Sequence, residues 1–221
     1  MKCSGVFNPK KIRHSQSMMP ITPIVKHLLI INVILFLGIK LLPENFGQMM
    51  PFYSPATGLF RPFQIITYMF THFDVGHIFF NMLSLYFLGP LVEMALGPKR
   101  FFTLYMVSGL VGLAAHFMVW YFPYLTGQTS VPPEFAVLGA SGAVFGVTIA
   151  FATLFPQKEL MLLFPPIPIK AWLMALILVG IGLYQGLTGT GGNIAHFAHL
   201  GGALAGYILA RHWKSGGKYL Q

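Results

Sequence analysis

Six stretches of this chain approach the length of a membrane-spanning helix with hardly a charge among them, at about residues 24–42, 75–92, 101–122, 135–155, 171–187 and 194–210. A helix needs about 20 apolar residues to cross the hydrocarbon of a bilayer. In lipid its backbone donors and acceptors must be satisfied within the segment, which leaves few alternatives to a helical bundle. With 55% hydrophobic and 9% charged residues in 221, the chain is too apolar for a soluble domain of its length. The pattern predicts an all-α polytopic membrane protein with six transmembrane helices.

The charges sort by side of the membrane. Lys2, Lys10, Lys11, Arg13 and Lys26 precede or begin the first helix, and Lys99 and Arg100 follow the second. Lys158 and Lys170 lie between the fourth and fifth, and Arg211, Lys214 and Lys218 follow the sixth, with only Lys40 and Arg61 on the other side. Both termini are therefore expected to be cytoplasmic. The net charge of +9 reads as topology and gives no reason to invoke nucleic acid. Residues 1–23 read as a flexible basic cytoplasmic segment touching anionic lipid heads, 24–213 as the membrane domain and 214–221 as a cytoplasmic tail. The first 20 residues lack the apolar core of a cleaved signal, so the first helix is expected to stay as an anchor. Cys3 stands alone, which forbids an internal disulfide. The connection 43–74 carries Phe46, Phe52, Tyr53, Phe60 and Phe63 and reads as an interfacial, partly lipid-embedded segment.

Helices two, four and six run in the same direction, so residues near their starts share one layer close to the outer face. That layer holds His77 and Asn81, Ser141, and His196 with His199. Gly142, Gly146 and Ala150 recur every four residues, as do Gly202, Gly206 and Ala210. Two such smooth faces can pack backbone to backbone and bring Ser141 within hydrogen-bond reach of His199, three residues before Gly202. His196 is the rival base, but it lies one turn nearer the loop and reads as a loop-end residue. A neutral imidazole can take the serine proton, and the first turn of a helix favours the uncharged ring. The Ser141 backbone N–H, the Asn81 amide and the His77 ring are candidate oxyanion donors. None of the five acidic residues falls in the outer half of helix four or six, so a Ser-His dyad is expected, not a triad.

Other readings compete. A Gly-x-Ser-Gly run in a membrane helix is often packing, as Ser108-Gly109 in the third helix is expected to be, and His116 reads as structural. A metal site would have to be built from His72, His77, His196 and His199 with Asp74 as the one nearby carboxylate, so no metal and no cofactor are expected. A transporter would need a polar path through the inner half as well, which the sequence lacks.

Taken in order, T-H-F-D-V-G-H-I-F-F-N with His72, His77 and Asn81, V-E-M-A-L-G with Glu93 and Gly97, G-A-S-G-A-V-F-G with Gly139 and Ser141, and A-H-L-G-G-A-L-A-G with His199 resemble the rhomboid family of intramembrane serine proteases. The resemblance spans about residues 24–213. It implies a six-helix rhomboid-like bundle in which Ser141 is the nucleophile, His199 the general base, and His77 with Asn81 lines the oxyanion hole. Phe145 takes the place of an aromatic ring stacked on the catalytic histidine, and Gly202 that of a glycine permitting close helix contact. The family often has Trp-Arg in the loop before the second helix. Here Phe63 and Gln64 hold those places and Arg61 lies nearby, a departure that bears on how the loop is anchored.

Partners implied are transmembrane protein substrates, which must partly unwind to expose a scissile carbonyl, and membrane lipids; no oligomeric state follows. The fifth helix, with Trp172, and the loop after Gln185, with Gly186, Gly189, Gly191 and Gly192, are the candidate gate and cap. The short six-helix form suggests a bacterial plasma membrane, with the active site toward its outer face.

Overall fold

Proline and glycine set the first helix boundaries. In the computed structural model, which describes residues 21–161, 165–190 and 194–215, α1 (Pro23–Leu41) begins with a proline whose missing N–H costs nothing there. Helix α4 (Val75–Leu96) starts behind Asp74, whose carboxylate accepts the His77 N–H at 2.7 Å. It runs through Pro90 and ends at Gly97, whose φ of +80° suits glycine and whose N–H reaches the Glu93 carbonyl at 2.8 Å. Pro98 then opens α5 (Pro98–Leu125) at once. Three further long helices follow, α6 (Ser141–Leu154), α7 (Ala171–Thr188) and α8 (His196–Ser215). The expectations placed on residues 1–20, including Cys3, on Gly191 and Gly192, and on 216–221 lie outside the described residues.

Several boundaries depart from the apolar runs, α4 ending at Leu96, α5 starting at Pro98 and α8 reaching Ser215. Helix α5 continues through Pro123 to Leu125, beyond the run 101–122. Helix α6 is shorter than the run 135–155, because Ala136–Val137 forms a strand and Gly139 turns the chain before Ser141. Helices α1, α4, α5 and α7 are long and apolar enough to cross a membrane. Helix α6 is apolar but has 14 residues, and α8 carries Arg211, His212 and Lys214 at its end.

Helix α6 is the core of the bundle. Of its residues, Gly142 to Val144 and Gly146 to Ala152 are buried, against α8, α5 and α4. Helix α1 packs on α4, and α7 lies at the periphery against α8 and α6 with only Ala171 and Gly182 buried. The α6–α8 contact is backbone on backbone. A methyl group on Gly202 would collide with the Gly142 carbonyl and one on Gly206 with the Gly146 carbonyl. The other face of α8 meets α5 as closely: a Cβ on Gly112 would lie 2.5 Å from the Ala198 carbonyl oxygen.

The connection 43–74 is folded, with short helices α2 (Glu44–Gln48) and α3 (Gln64–Thr67). Its strand β1 (Phe52–Tyr53) pairs antiparallel with β2 (Ala136–Val137), and Ser54 Oγ donates to the Pro133 carbonyl at 2.8 Å. The connection is thus stitched to the segment that leads into α6. Gln64, at the position where the family often has arginine, is 1% exposed and holds the connection from inside. Its Nε2 donates to the carbonyls of Met49 and Leu59, both at 3.1 Å. Its Oε1 accepts from the N–H groups of Arg61 at 3.0 Å and Tyr53 at 3.4 Å. Phe63 is half exposed, and Phe46, Met49, Leu59, Ile65 and Ile66 also present apolar surface outward. On the opposite end, β3 (Glu159–Met161) and β4 (Pro168–Lys170) form a hairpin between α6 and α7.

Candidate active site

Ser141 opens α6, where a helix leaves its first N–H groups without partners inside the helix. The chain enters through Gly139, whose φ of +117° is one that side chains rarely tolerate. Space forbids a side chain too: a Cβ there would lie 2.6 Å from both Cε1 and Nε2 of His77. The Gly139 N–H donates to the Tyr68 carbonyl at 2.9 Å, and the buried Tyr68 hydroxyl donates to the Gly109 carbonyl at 2.7 Å. The turn before the serine is therefore fastened to α5 through Tyr68, a residue that no sequence pattern singles out.

His199 stands in the first turn of α8, with Nε2 2.7 Å from Ser141 Oγ. The close approach of α6 and α8 makes this distance possible, since Gly142 and Gly202 keep side chains out from between the backbones. Phe145, one turn after Ser141, lies flat on the His199 ring with centroids 4.4 Å apart and planes within 7°. Among the described residues no carboxylate hydrogen-bonds His199.

His77 and Asn81 come from the first two turns of α4. The His77 ring lies over Gly139, and Asn81, buried, uses Nδ2 to donate to the His77 carbonyl at 2.9 Å. The Asn81 amide has a second hydrogen to offer. His72 is buried before α4 and meets His77 edge to face at 5.0 Å. Gly206 lies deeper, against Gly146. His196 is the first residue of α8, directly after the loop; it is 7% exposed, and its ring stands perpendicular to that of His199 at 6.4 Å. Ser108 packs against Gly146, about one and a half turns below Ser141. Among the described residues no three His, Cys, Asp or Glu side chains converge as a metal-binding group.

A hydroxyl on an imidazole nitrogen, beside the N–H groups of a helix start and an amide, is an arrangement fitted to acyl transfer. Residues 60–213, which contain all of these groups, match the Rhomboid domain family. The chain belongs to the rhomboid family. Rhomboid protein 1, mitochondrial, of Saccharomyces cerevisiae is 38% identical over 144 residues, covering 65% of this chain and 40% of that protein. RHOMBOID-like protein 12, mitochondrial, of Arabidopsis thaliana is 35% identical over 150 residues, covering 65% and 44%. Rhomboid protease GluP of Bacillus subtilis is 27% identical over 147 residues, covering 66% and 25%. The chain spans less than half the length of these rhomboid relatives.

Proposed function

We propose that this chain is an intramembrane serine endopeptidase that cuts transmembrane segments of other proteins with Ser141 and His199. The observation that carries the reading is the 2.7 Å contact between Ser141 Oγ and His199 Nε2 under the Phe145 ring. Ser141 Oγ attacks the scissile carbonyl carbon as its proton passes to Nε2 of His199. The tetrahedral oxyanion takes hydrogen bonds from the Ser141 N–H, the Asn81 amide and the His77 ring. His199 then gives the proton to the leaving amine, and water, deprotonated by the same ring, releases the acyl group.

Membrane placement rests on helix lengths. Helix α6, with 14 residues, is about 21 Å long, against a hydrocarbon thickness of about 30 Å. With its inner end at one boundary, Ser141 lies below the opposite one, within reach of a transmembrane substrate. The reading is of a six-span bundle over residues 24–213 with both termini on the basic, cytoplasmic side. The relatives at 35% and 38% identity carry mitochondrial names, so a bacterial plasma membrane has no support from them. Helix α7 packs on α8 and α6 rather than on α4 and buries little, which suits a lateral gate for substrate. Unchanged cleavage after α7 is cross-linked to α4 would remove that role.

The test is cleavage of a transmembrane reporter in liposomes by wild type, Ser141→Ala and His199→Ala. The expected result is a loss of about 10³-fold or more in both variants, as when a nucleophile or its base is removed. Equal cleavage by all three, or none by wild type, rejects the protease reading.

A further inference from the structure

Behind the dyad, α5 and α8 bury two imidazoles that the Ser141–His199 chemistry does not use. His116 is 8% and His196 7% exposed. Nδ1 of His116 and Nε2 of His196 are fully buried and have no hydrogen-bond partner among the described residues. Leaving two such nitrogens unpaired costs about 1–3 kcal/mol each. Natural structures rarely bear such a cost without an ordered water.

The two rings share one level. Gly112 sits against the Ala198 carbonyl, and a Cβ on Gly201 would lie 2.6 Å from that of Ala115. One turn outward from Gly112 on α5 is His116, and one turn back from that contact on α8 is His196. Each lies within electrostatic reach of the other and of His199. Aromatic rings wall the outer side, Phe135 edge to face with His116 at 5.2 Å and Trp120 tilted at 6.1 Å. Helix α7 covers the remaining side, where Gly186 faces Phe197 and the Cβ of His196.

His199 has a need that this place answers. To accept the serine proton at Nε2, its neutral ring must carry hydrogen on Nδ1, and that N–H meets no carboxylate among the described residues. We propose that His116 and His196 hold a buried water that accepts the His199 Nδ1–H, fixing the tautomer and ring plane that a third, acidic residue would otherwise fix. This rests on the protease reading. His116 and His196 are positioning residues, since they act on the substrate only through His199. A water with two imidazole partners and one N–H has the three hydrogen bonds usual for a buried water.

The test compares His116→Leu, His196→Leu and the glutamine substitutions at both positions with wild type. Leucine removes the polar partner, whereas glutamine keeps a donor and an acceptor. Each leucine variant is expected to lower kcat about tenfold, the worth of one ordinary hydrogen bond, with KM within about twofold and the unfolding midpoint unchanged or raised. Glutamine should restore most of kcat. In ¹⁵N spectra of histidine-labelled protein, His199 should be the Nδ1–H tautomer in wild type and a mixture of tautomers in the leucine variants. Wild-type kcat in the leucine variants overturns the proposal, as does a kcat loss shared by glutamine and leucine and tracking a lowered midpoint. An unchanged His199 tautomer in folded His196→Leu overturns it too. If wild type itself fails to cleave, the protease reading falls, and the tautomer measurement on resting protein still judges the water site.

Discussion

The ring of Phe145 lies parallel to the ring of His199, 4.4 Å away, and rides on the same helix as Ser141 one turn earlier. A single rigid element therefore sets both the position of the hydroxyl and the plane of the ring that faces it. Stacked aromatic pairs contribute about 0.5–1.5 kcal/mol beyond the area they bury. Phe145→Leu fills most of the volume but offers no flat face, so kcat should fall by roughly threefold to tenfold with KM little changed. Steady-state cleavage of a transmembrane reporter measures it, and a change confined to KM would assign Phe145 to substrate binding instead.

Glycines on α6 and α8 should divide sharply from those elsewhere. Gly202→Ala and Gly206→Ala each drive a methyl into a carbonyl of α6, a backbone obstacle that cannot turn aside. Each should cost at least about 1–3 kcal/mol and widen the Ser141–His199 gap, so activity should fall more than stability. Gly180 on α7 has nothing within 4 Å of where a Cβ would lie. Gly180→Ala should be neutral or stabilising by up to about 1 kcal/mol. Thermal unfolding in detergent beside reporter cleavage separates the two classes; equal tolerance at Gly202 and Gly180 would contradict the close-packed interface.

The glycines also mark how far the structure is legible in the sequence. The four-residue glycine repeats point to the α6–α8 contact because helical period and backbone approach are local properties of a sequence. The start of α6 is hidden, since residues 135–140 are nearly as apolar as the helix itself and only the left-handed turn at Gly139 separates the two. The burial of His196 is hidden because its cover, Gly186 of α7, arrives from another helix. Gln64 shows in the sequence only as a departure from the family's Trp-Arg, with nothing to say what it binds. Its partners at Met49, Tyr53, Leu59 and Arg61 are gathered by the path of the loop, which no periodicity encodes.

Gln64 yields a prediction against its own family's habit. The side chain gives two donor and two acceptor bonds to backbone groups of the connection. Arginine has five donors and no acceptor, so Gln64→Arg would leave the Tyr53 and Arg61 N–H groups facing another donor in a buried site. Gln64→Arg should therefore destabilise by at least as much as Gln64→Ala, with both losing about 2–4 kcal/mol from two or more unpaired groups. The readout is the unfolding midpoint, with limited proteolysis between residues 43 and 67. A Gln64→Arg variant as stable as wild type would mean that the loop rebuilds around arginine.

Glu93, in the last turn of α4, ties that helix to the start of α1. Its buried carboxylate accepts from the Thr22 hydroxyl at 2.5 Å, the Ile24 N–H at 3.0 Å and the Val25 N–H at 2.9 Å, capping α1 from α4 across 71 positions of sequence. All three partners are donors at a helix N-terminus, where the unpaired N–H groups and the helix dipole favour negative charge. Glu93→Gln keeps the shape but replaces one acceptor oxygen by an NH₂ group, which must then point at a donor. Thr22→Val removes one bond and leaves the carboxylate with two. Hydrogen bonds to a charged group are worth about 1.5–3 kcal/mol each. Glu93→Gln should thus cost about 3–5 kcal/mol and Thr22→Val about 1.5–3 kcal/mol, measured by unfolding in mixed micelles. Because α1 packs on α4 and the dyad is built from α6 and α8, the fraction of Glu93→Gln that remains folded should cleave at the wild-type rate. A lowered kcat in that folded fraction would show that the α1–α4 contact also shapes the site through His77 and Asn81, which α4 carries at its other end.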